Sequence, residues 1–81
     1  MRISIRLLIP EKKGIARRLA EAVESAGGKV EEIRATRKLR GMSETTVLVN
    51  VVDERLYKPI IEALGQIPGV AVLSTPDIPT A

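Results

Sequence analysis

Cysteine, histidine, phenylalanine and tryptophan are all absent from the 81 residues, and Tyr57 is the one aromatic side chain. Without cysteine there are no disulfides, no thiol redox chemistry and no Cys-x-x-Cys loop for a soft metal. Without histidine the usual zinc ligand set and the commonest general base are gone as well. A sheet face that binds RNA by base stacking needs exposed rings, and this chain has none to spare. No apolar run approaches the roughly 20 residues of a membrane-spanning helix. No charged, apolar and small-residue leader is readable at the start. Together with the missing disulfides, this sets the expectation of a soluble, cytoplasmic protein.

What remains is aliphatic and charged. Ile, Leu, Val and Ala recur throughout, enough to build one core, and a chain of this length has room for one domain only. Thirteen basic against ten acidic residues leave a net charge of +3. That favours solubility and attracts anions without being a nucleic-acid signature.

The apolar residues keep two periods. From Arg2 to Pro10, Ile3, Ile5, Leu7 and Ile9 alternate with Arg2, Ser4, Arg6 and Leu8, the period of a half-buried strand that Pro10 ends. Between Gly14 and Ala26, Ile15, Leu19, Ala22, Val23 and Ala26 fall at helical spacing opposite Arg17, Arg18, Glu21 and Glu24, and Gly27-Gly28 stops the helix. Lys29 to about Arg37 reads as an extended segment in which Val30 and Ile33 are out of phase, so a bulge resets the pleat or the strand lies at an edge. Thr45 to Val52 is β-branched and fits a central strand, with Leu48 on its outward side. Asp53 suits the N-cap of a second helix striped by Leu56, Ile60, Ala63, Leu64 and Ile67, with Pro59 predicting a distorted first turn or a late start. Val70 to Ser74 reads as a short last strand.

A shift of 41 residues superposes Ile15 on Leu56, Leu19 on Ile60, Val23 on Leu64, Ala26 on Ile67 and Gly28 on Gly69, so one strand–helix–strand unit is used twice. Two such units with right-handed crossovers give a ferredoxin-like βαββαβ fold of class α+β, a four-stranded antiparallel sheet in the order 4-1-3-2 with both helices on one face. Residues 1–74 form that domain, and 75–81, with two prolines and no periodicity, read as a C-terminal tail. The buried set is expected to be Ile3, Ile5, Leu7, Ile15, Leu19, Val23, Val47, Val49, Ile60, Leu64 and Ile67.

Many functions use this fold, so the choice belongs to the sites. An acylphosphatase-like enzyme would hold an arginine in a Gly-rich first loop, whereas that loop here is Pro10-Glu11-Lys12-Lys13-Gly14. Glu, Lys and Tyr57 occur at no spacing that demands catalysis, so a non-catalytic module is expected, with no cofactor and no metal. The first loop feeds a helix start, where unpaired backbone N–H groups and the helix dipole attract anions, Gly14 lets the backbone turn, and Lys12 and Lys13 add charge. Read structurally, the same glycine merely eases entry into the helix and both lysines are solvated. A second basic group, Arg34, Arg37, Lys38 and Arg40, either protects an edge strand or receives an acidic protein or a nucleic acid.

The stretch from Ile5 through Gly14 to Leu19, continued by Glu21 to Ile33, has a strand, a loop ending in Gly, an amphipathic helix, a Gly-rich turn and an edge strand. Ile60 to Val70 adds a second helix and its exit through Pro68-Gly69. In these features the chain resembles the ACT family of small-molecule-sensing regulatory domains, over nearly its whole length. Within that family it looks similar to the amino-terminal regulatory segment of bacterial malic enzymes or to a stand-alone ACT-domain protein. The resemblance implies allosteric binding of an amino acid or small carboxylate between subunits. The implied site is Glu11, Lys12, Lys13, Gly14 and Ile15, closed by Lys29, Val30 and Glu31. Lys13 stands where the family often has proline, and Lys29 where it often has a polar amide, a loss that weakens the case for an ordinary amino acid and leaves a more acidic ligand, or none, as the alternatives. The implied partners are this small-molecule effector, further copies of the chain as a homodimer or higher homo-oligomer, and a separate metabolic enzyme. No membrane is expected as a partner. The alternative is a protein- or nucleic-acid-interaction module using the basic edge strand, with nucleic acid the less expected of the two.

Overall fold

The computed structural model describes residues 1–74, so the expected tail 75–81 lies outside the described residues. The first strand, β1 (Arg2–Pro10), keeps its alternation: Ile3, Ile5, Leu7 and Ile9 are buried, Arg2, Ser4 and Arg6 are exposed, and Leu8 is half-buried. Helix α1 (Ile15–Ser25) follows after a short loop and buries Leu19 and Val23, the two residues at the centre of its apolar stripe. The strand β2 (Lys29–Leu39) then runs out to a two-residue turn, and β3 (Met42–Asn50) returns from it. Gly41 supplies the positive φ, +67°, at the second turn position, a conformation glycine adopts without a Cβ penalty.

A 3-10 turn, Glu54–Leu56, precedes α2 (Tyr57–Gly65), and β4 (Ala71–Ser74) ends the described chain. The Asp53 carboxylate caps the 3-10 turn by accepting the Arg55 backbone N–H at 2.8 Å. Pro59 is thereby left in the first turn of α2, where its missing N–H costs no helical hydrogen bond. The predicted distortion is this tighter turn ahead of a late helix.

The sheet order is β2-β3-β1-β4, which is 4-1-3-2 read from the other edge, and every neighbouring pair is antiparallel. Leu19, Val23, Ile60 and Leu64 pack with Ile3, Ile5, Leu7, Ile9, Val47, Val49, Val51 and Val70 into one aliphatic core between helices and sheet. At Gly28 the chain passes so close to this core that an added Cβ would lie 2.8 Å from Ile60 and 2.9 Å from Val49. The glycine after α1 is therefore a packing requirement as well as a helix stop.

Four expectations shift. Ile15 and Ile67 are only half-buried, because they sit at the ends of the helical stripes, where the sheet no longer lies beneath them. The third strand begins at Met42 and ends at Asn50, earlier than 45–52, since the tight turn starts the ladder at once. Beyond it, Val51 is buried and Val52 is 94% exposed. The edge strand β2 extends to Leu39, past Arg37. It is both an edge and bulged: its register slips between Val30 and Glu32 and again between Ala35 and Arg37. The first slip explains why Val30 and Ile33, out of phase in sequence, share the inner face opposite Val49 and Val47.

Candidate functional site

The expected ligand residues divide into two groups. Glu11, Lys12, Lys13 and Gly14 are all exposed in the loop between β1 and α1, and Ile15 opens the helix half-buried. Gly14 has φ +83° and ψ 1°, the left-handed region, which is why the loop ends in glycine. A Cβ there would meet nothing within 4 Å, so the residue answers to backbone conformation and not to crowding. The Gly14 carbonyl oxygen accepts the Arg18 N–H at 3.1 Å, and the Ile15 N–H donates to the Lys12 carbonyl oxygen at 3.1 Å. The next helical donors, on Ala16 and Arg17, have no carbonyl a turn behind them inside the helix.

Lys29, Val30 and Glu31 open β2 at the opposite end of the molecule. Lys29 pairs in register with Asn50, and Asn50 with Arg2, at the end where β1 begins. At the other end Leu39 pairs with Met42 and Met42 with Pro10, where β1 ends and the loop starts. Eight residue steps of strand, about 26 Å at 3.3 Å per residue, separate the two groups within one chain. Glu31, at the first bulge, reaches Arg2 across the sheet at 3.1 Å. No pocket is found among the described residues.

What the structure does bring together is the loop and the β2–β3 hairpin. The Glu11 N–H donates to the Gly41 carbonyl oxygen at 2.9 Å, placing Lys12 and Lys13 beside Arg37, Lys38 and Arg40 at one end of the sheet. Arg18, exposed in the first turn of α1, follows the same loop. None of these six cations forms an ion pair among the described residues, whereas Arg2, Arg6, Arg17, Arg34 and Arg55 each do. The loop lysines and the hairpin members of the second basic group, Arg37, Lys38 and Arg40, thus gather at one end of the sheet, whereas Arg34, paired with Glu32, stands apart. The signal for their meeting is the hairpin: once Leu39 and Met42 are paired, β3 must deliver the turn beside the end of β1.

Away from this end, the Asp53 carboxyl is held below its ordinary range by the Arg55 guanidinium, 2.7 Å away, and by the Arg55 backbone N–H. The same contact raises Arg55. These groups cap a turn and lie on no candidate site. No set of three or more acidic side chains able to hold a metal ion occurs among the described residues. No helix among them is long and apolar enough to cross a membrane.

No family model matches the sequence, and no curated protein matches it either. Solved structures do match in fold. The ACT domain from the GTP pyrophosphokinase of Chlorobium tepidum superposes with a TM-score of 0.67 at 15% identity, covering 88% of this chain and 91% of that one. An unknown protein from Galdieria sulphuraria superposes with a TM-score of 0.63 at 20% identity, covering 99% of this chain but 46% of its own, so the present chain spans about half of that protein. The chain has the ferredoxin-like fold of an ACT domain. Neither likeness supports the narrower resemblance to malic enzymes.

Proposed function

We propose that the chain is a non-catalytic regulatory module that binds an amino acid or small carboxylate at a site completed by a second copy of itself. The observation that carries this reading is the 26 Å-scale division of the candidate residues between opposite ends of the sheet, about eight strand steps at 3.3 Å each. One copy cannot bring Lys29, Val30 and Glu31 to the loop Glu11–Ile15. Two copies joined along β2 would. An antiparallel pairing about a two-fold axis sets the start of one β2 against the end of its partner, which is the end where the loop lies.

The edge suits such a pairing. The first half of β2 carries Glu31 and Glu32 and the second half Arg34, Arg37 and Lys38, so antiparallel copies oppose acid with base. The same charges deter parallel, in-register association, as expected of a protected edge. Exposed β2 backbone groups would also gain partners, continuing the ladder. A ligand at the joint would meet Lys12, Lys13 and the free N–H groups at the start of α1, a setting for carboxylate. The fold shared with the ACT domain of a GTP pyrophosphokinase supports the regulatory reading, and a separate enzyme is the natural recipient of the signal. A cytoplasmic setting accords with the absence of cysteine.

A thermal-shift screen with the amino acids and with small dicarboxylates tests the reading, because a ligand that binds only the folded state raises the melting temperature. A saturable rise with one chemical group of compounds is expected. Flat responses across the panel at millimolar concentration would refute it.

A further inference from the structure

The face of the sheet turned away from the helices carries no helix among the described residues, and apart from Leu48 near the other end several of its apolar side chains meet at the hairpin end. Leu39, Met42 and Pro10 are register partners in one row across β2, β3 and β1, and the next row runs Arg37, Glu44, Leu8 and Ala71 across all four strands. Leu39 is 42% exposed, and Leu8, Pro10 and Met42 are half-buried with no helix above them. Three ion pairs lie on this face, Arg6 with Glu44, Arg34 with Glu32 and Arg2 with Glu31, and Glu44 stands beside Leu8, its carboxylate turned to Arg6. The cations around the apolar strip are in no such pair. Arg37 and Arg40 of the hairpin, and Lys12 and Lys13 held beside it by the Glu11–Gly41 hydrogen bond, form a collar without carboxylate partners.

We infer that this strip and its collar dock an acidic amphipathic helix of another protein, whose apolar stripe covers Leu8, Leu39 and Met42 while flanking Asp and Glu side chains meet the collar. An apolar centre rimmed by unpaired charge is the pattern of a protein-binding surface, with the apolar part supplying affinity and the charged rim orientation and speed. Amphipathic helices are read in this way, through apolar anchors at i, i+3, i+4 and i+7. A nucleic-acid strand would use the cations but leave the strip against water, and no ring is present on the face to stack a base. A second copy stacked strip on strip would bring two cationic collars together, which like-charge repulsion opposes. Leu8 and Met42 lie on β1 and β3, inside the β2 edge, so the apolar strip stays open when two edges pair, whereas Lys12, Lys13 and Arg37 of the collar are shared with the proposed small-molecule site; Leu39→Glu and Arg40→Glu therefore probe the strip at residues that site does not use.

The test follows the backbone amide NMR spectrum of the whole chain during titration. The probes are a synthetic helical peptide with leucines at those spacings flanked by glutamates, a scrambled peptide of the same composition, a polyuridine oligonucleotide, and phosphatidylglycerol vesicles. Saturable shifts centred on residues 8–10, 39–42 and 71 are expected with the helical peptide, weakening as salt rises. The scrambled peptide should bind about tenfold more weakly or worse, and Leu39→Glu and Arg40→Glu should each weaken the helical peptide by about tenfold while leaving the spectrum otherwise folded. Leu39 and Arg40 are both exposed, so neither change threatens the core. An unshifted strip, equal binding of the scrambled peptide, or tighter binding of the oligonucleotide or the vesicles would overturn the inference.

Discussion

The backbone N–H of Glu11 donates to the carbonyl oxygen of Gly41 at 2.9 Å, and this bond joins two parts of the chain 30 residues apart in sequence. It fixes the loop after β1 to the tip of the β2–β3 hairpin. Because β1 and β2 are both paired to β3, they run parallel, and their starts share the other end of the sheet. The position of the loop relative to Lys29 therefore follows from topology, and a site that used both, as proposed, would take Lys29 from a second copy.

The core should respond as an aliphatic jigsaw. Leu19 and Leu64 are fully buried, and Leu19→Ala is expected to cost about 2–5 kcal/mol in a urea melt, as for other core leucines. A loss below about 0.5 kcal/mol, the range of surface changes, would show that the helix face does not carry the core.

Two glycines should fail for different reasons. Gly28→Ala drives a Cβ toward Ile60 and Val49 and should cost about 1–3 kcal/mol by overpacking. Gly14→Ala meets no atoms but must hold φ near +83°, costing about 1–2 kcal/mol through the backbone alone. Asparagine tolerates the left-handed region, so Gly14→Asn should recover part of the loss, whereas Gly28→Asn should be worse than Gly28→Ala. Equal responses at the two positions would contradict this assignment.

Asp53 gives a pH dependence of known sign. Its carboxyl is held below the ordinary value of 3.8 by Arg55, so its contribution is fully present above that value and is lost as pH falls through the lowered one. Carboxyl NMR titration should find Asp53 still ionised when ordinary aspartates are half-protonated, and Arg55→Gln should move it up. The group is exposed, so the effect on overall stability should be slight and screened by salt. An Asp53 titration unchanged by Arg55→Gln would refute the pairing.

Complementation distinguishes a shared site from two separate ones. Once a compound from the screen binds, Lys13→Glu and Lys29→Glu should each weaken it, although the two residues lie at opposite ends of one chain. Mixing the two variants should restore one intact site in each mixed pair, since one copy supplies a normal loop and its partner a normal β2. Calorimetry of the mixture that shows no recovered binding would separate the two groups for good.

Much of this fold is legible in the order of residues because period carries it. The strict alternation of Ile3, Ile5, Leu7 and Ile9 and the helical spacing of Leu19 and Val23 each permit one arrangement. Pro59 announces the 3-10 turn, and the phase error at Val30 and Ile33 announces the bulge. The start of β3 is not visible, because Met42, Ser43 and Glu44 show no β-branched run and their pairing depends on turn geometry. Val51 is buried by a partner at the far end of the chain: its N–H donates to the Met1 carbonyl oxygen at 2.8 Å, a contact with no local signature. At the site, the residue types in the loop are legible and their separation from Lys29 is not, since distance within a sheet is set by strand order.

Sedimentation equilibrium of the whole chain across the micromolar range tests the central claim most directly. The account predicts a two-copy species, or a larger even assembly, that loosens as salt rises because acid opposes base along β2. It also predicts that a ligand from the thermal screen shifts the equilibrium toward assembly, as binding only to the joined form requires. A single-copy mass throughout that range, unchanged by ligand, would contradict the account and remove the shared site with it.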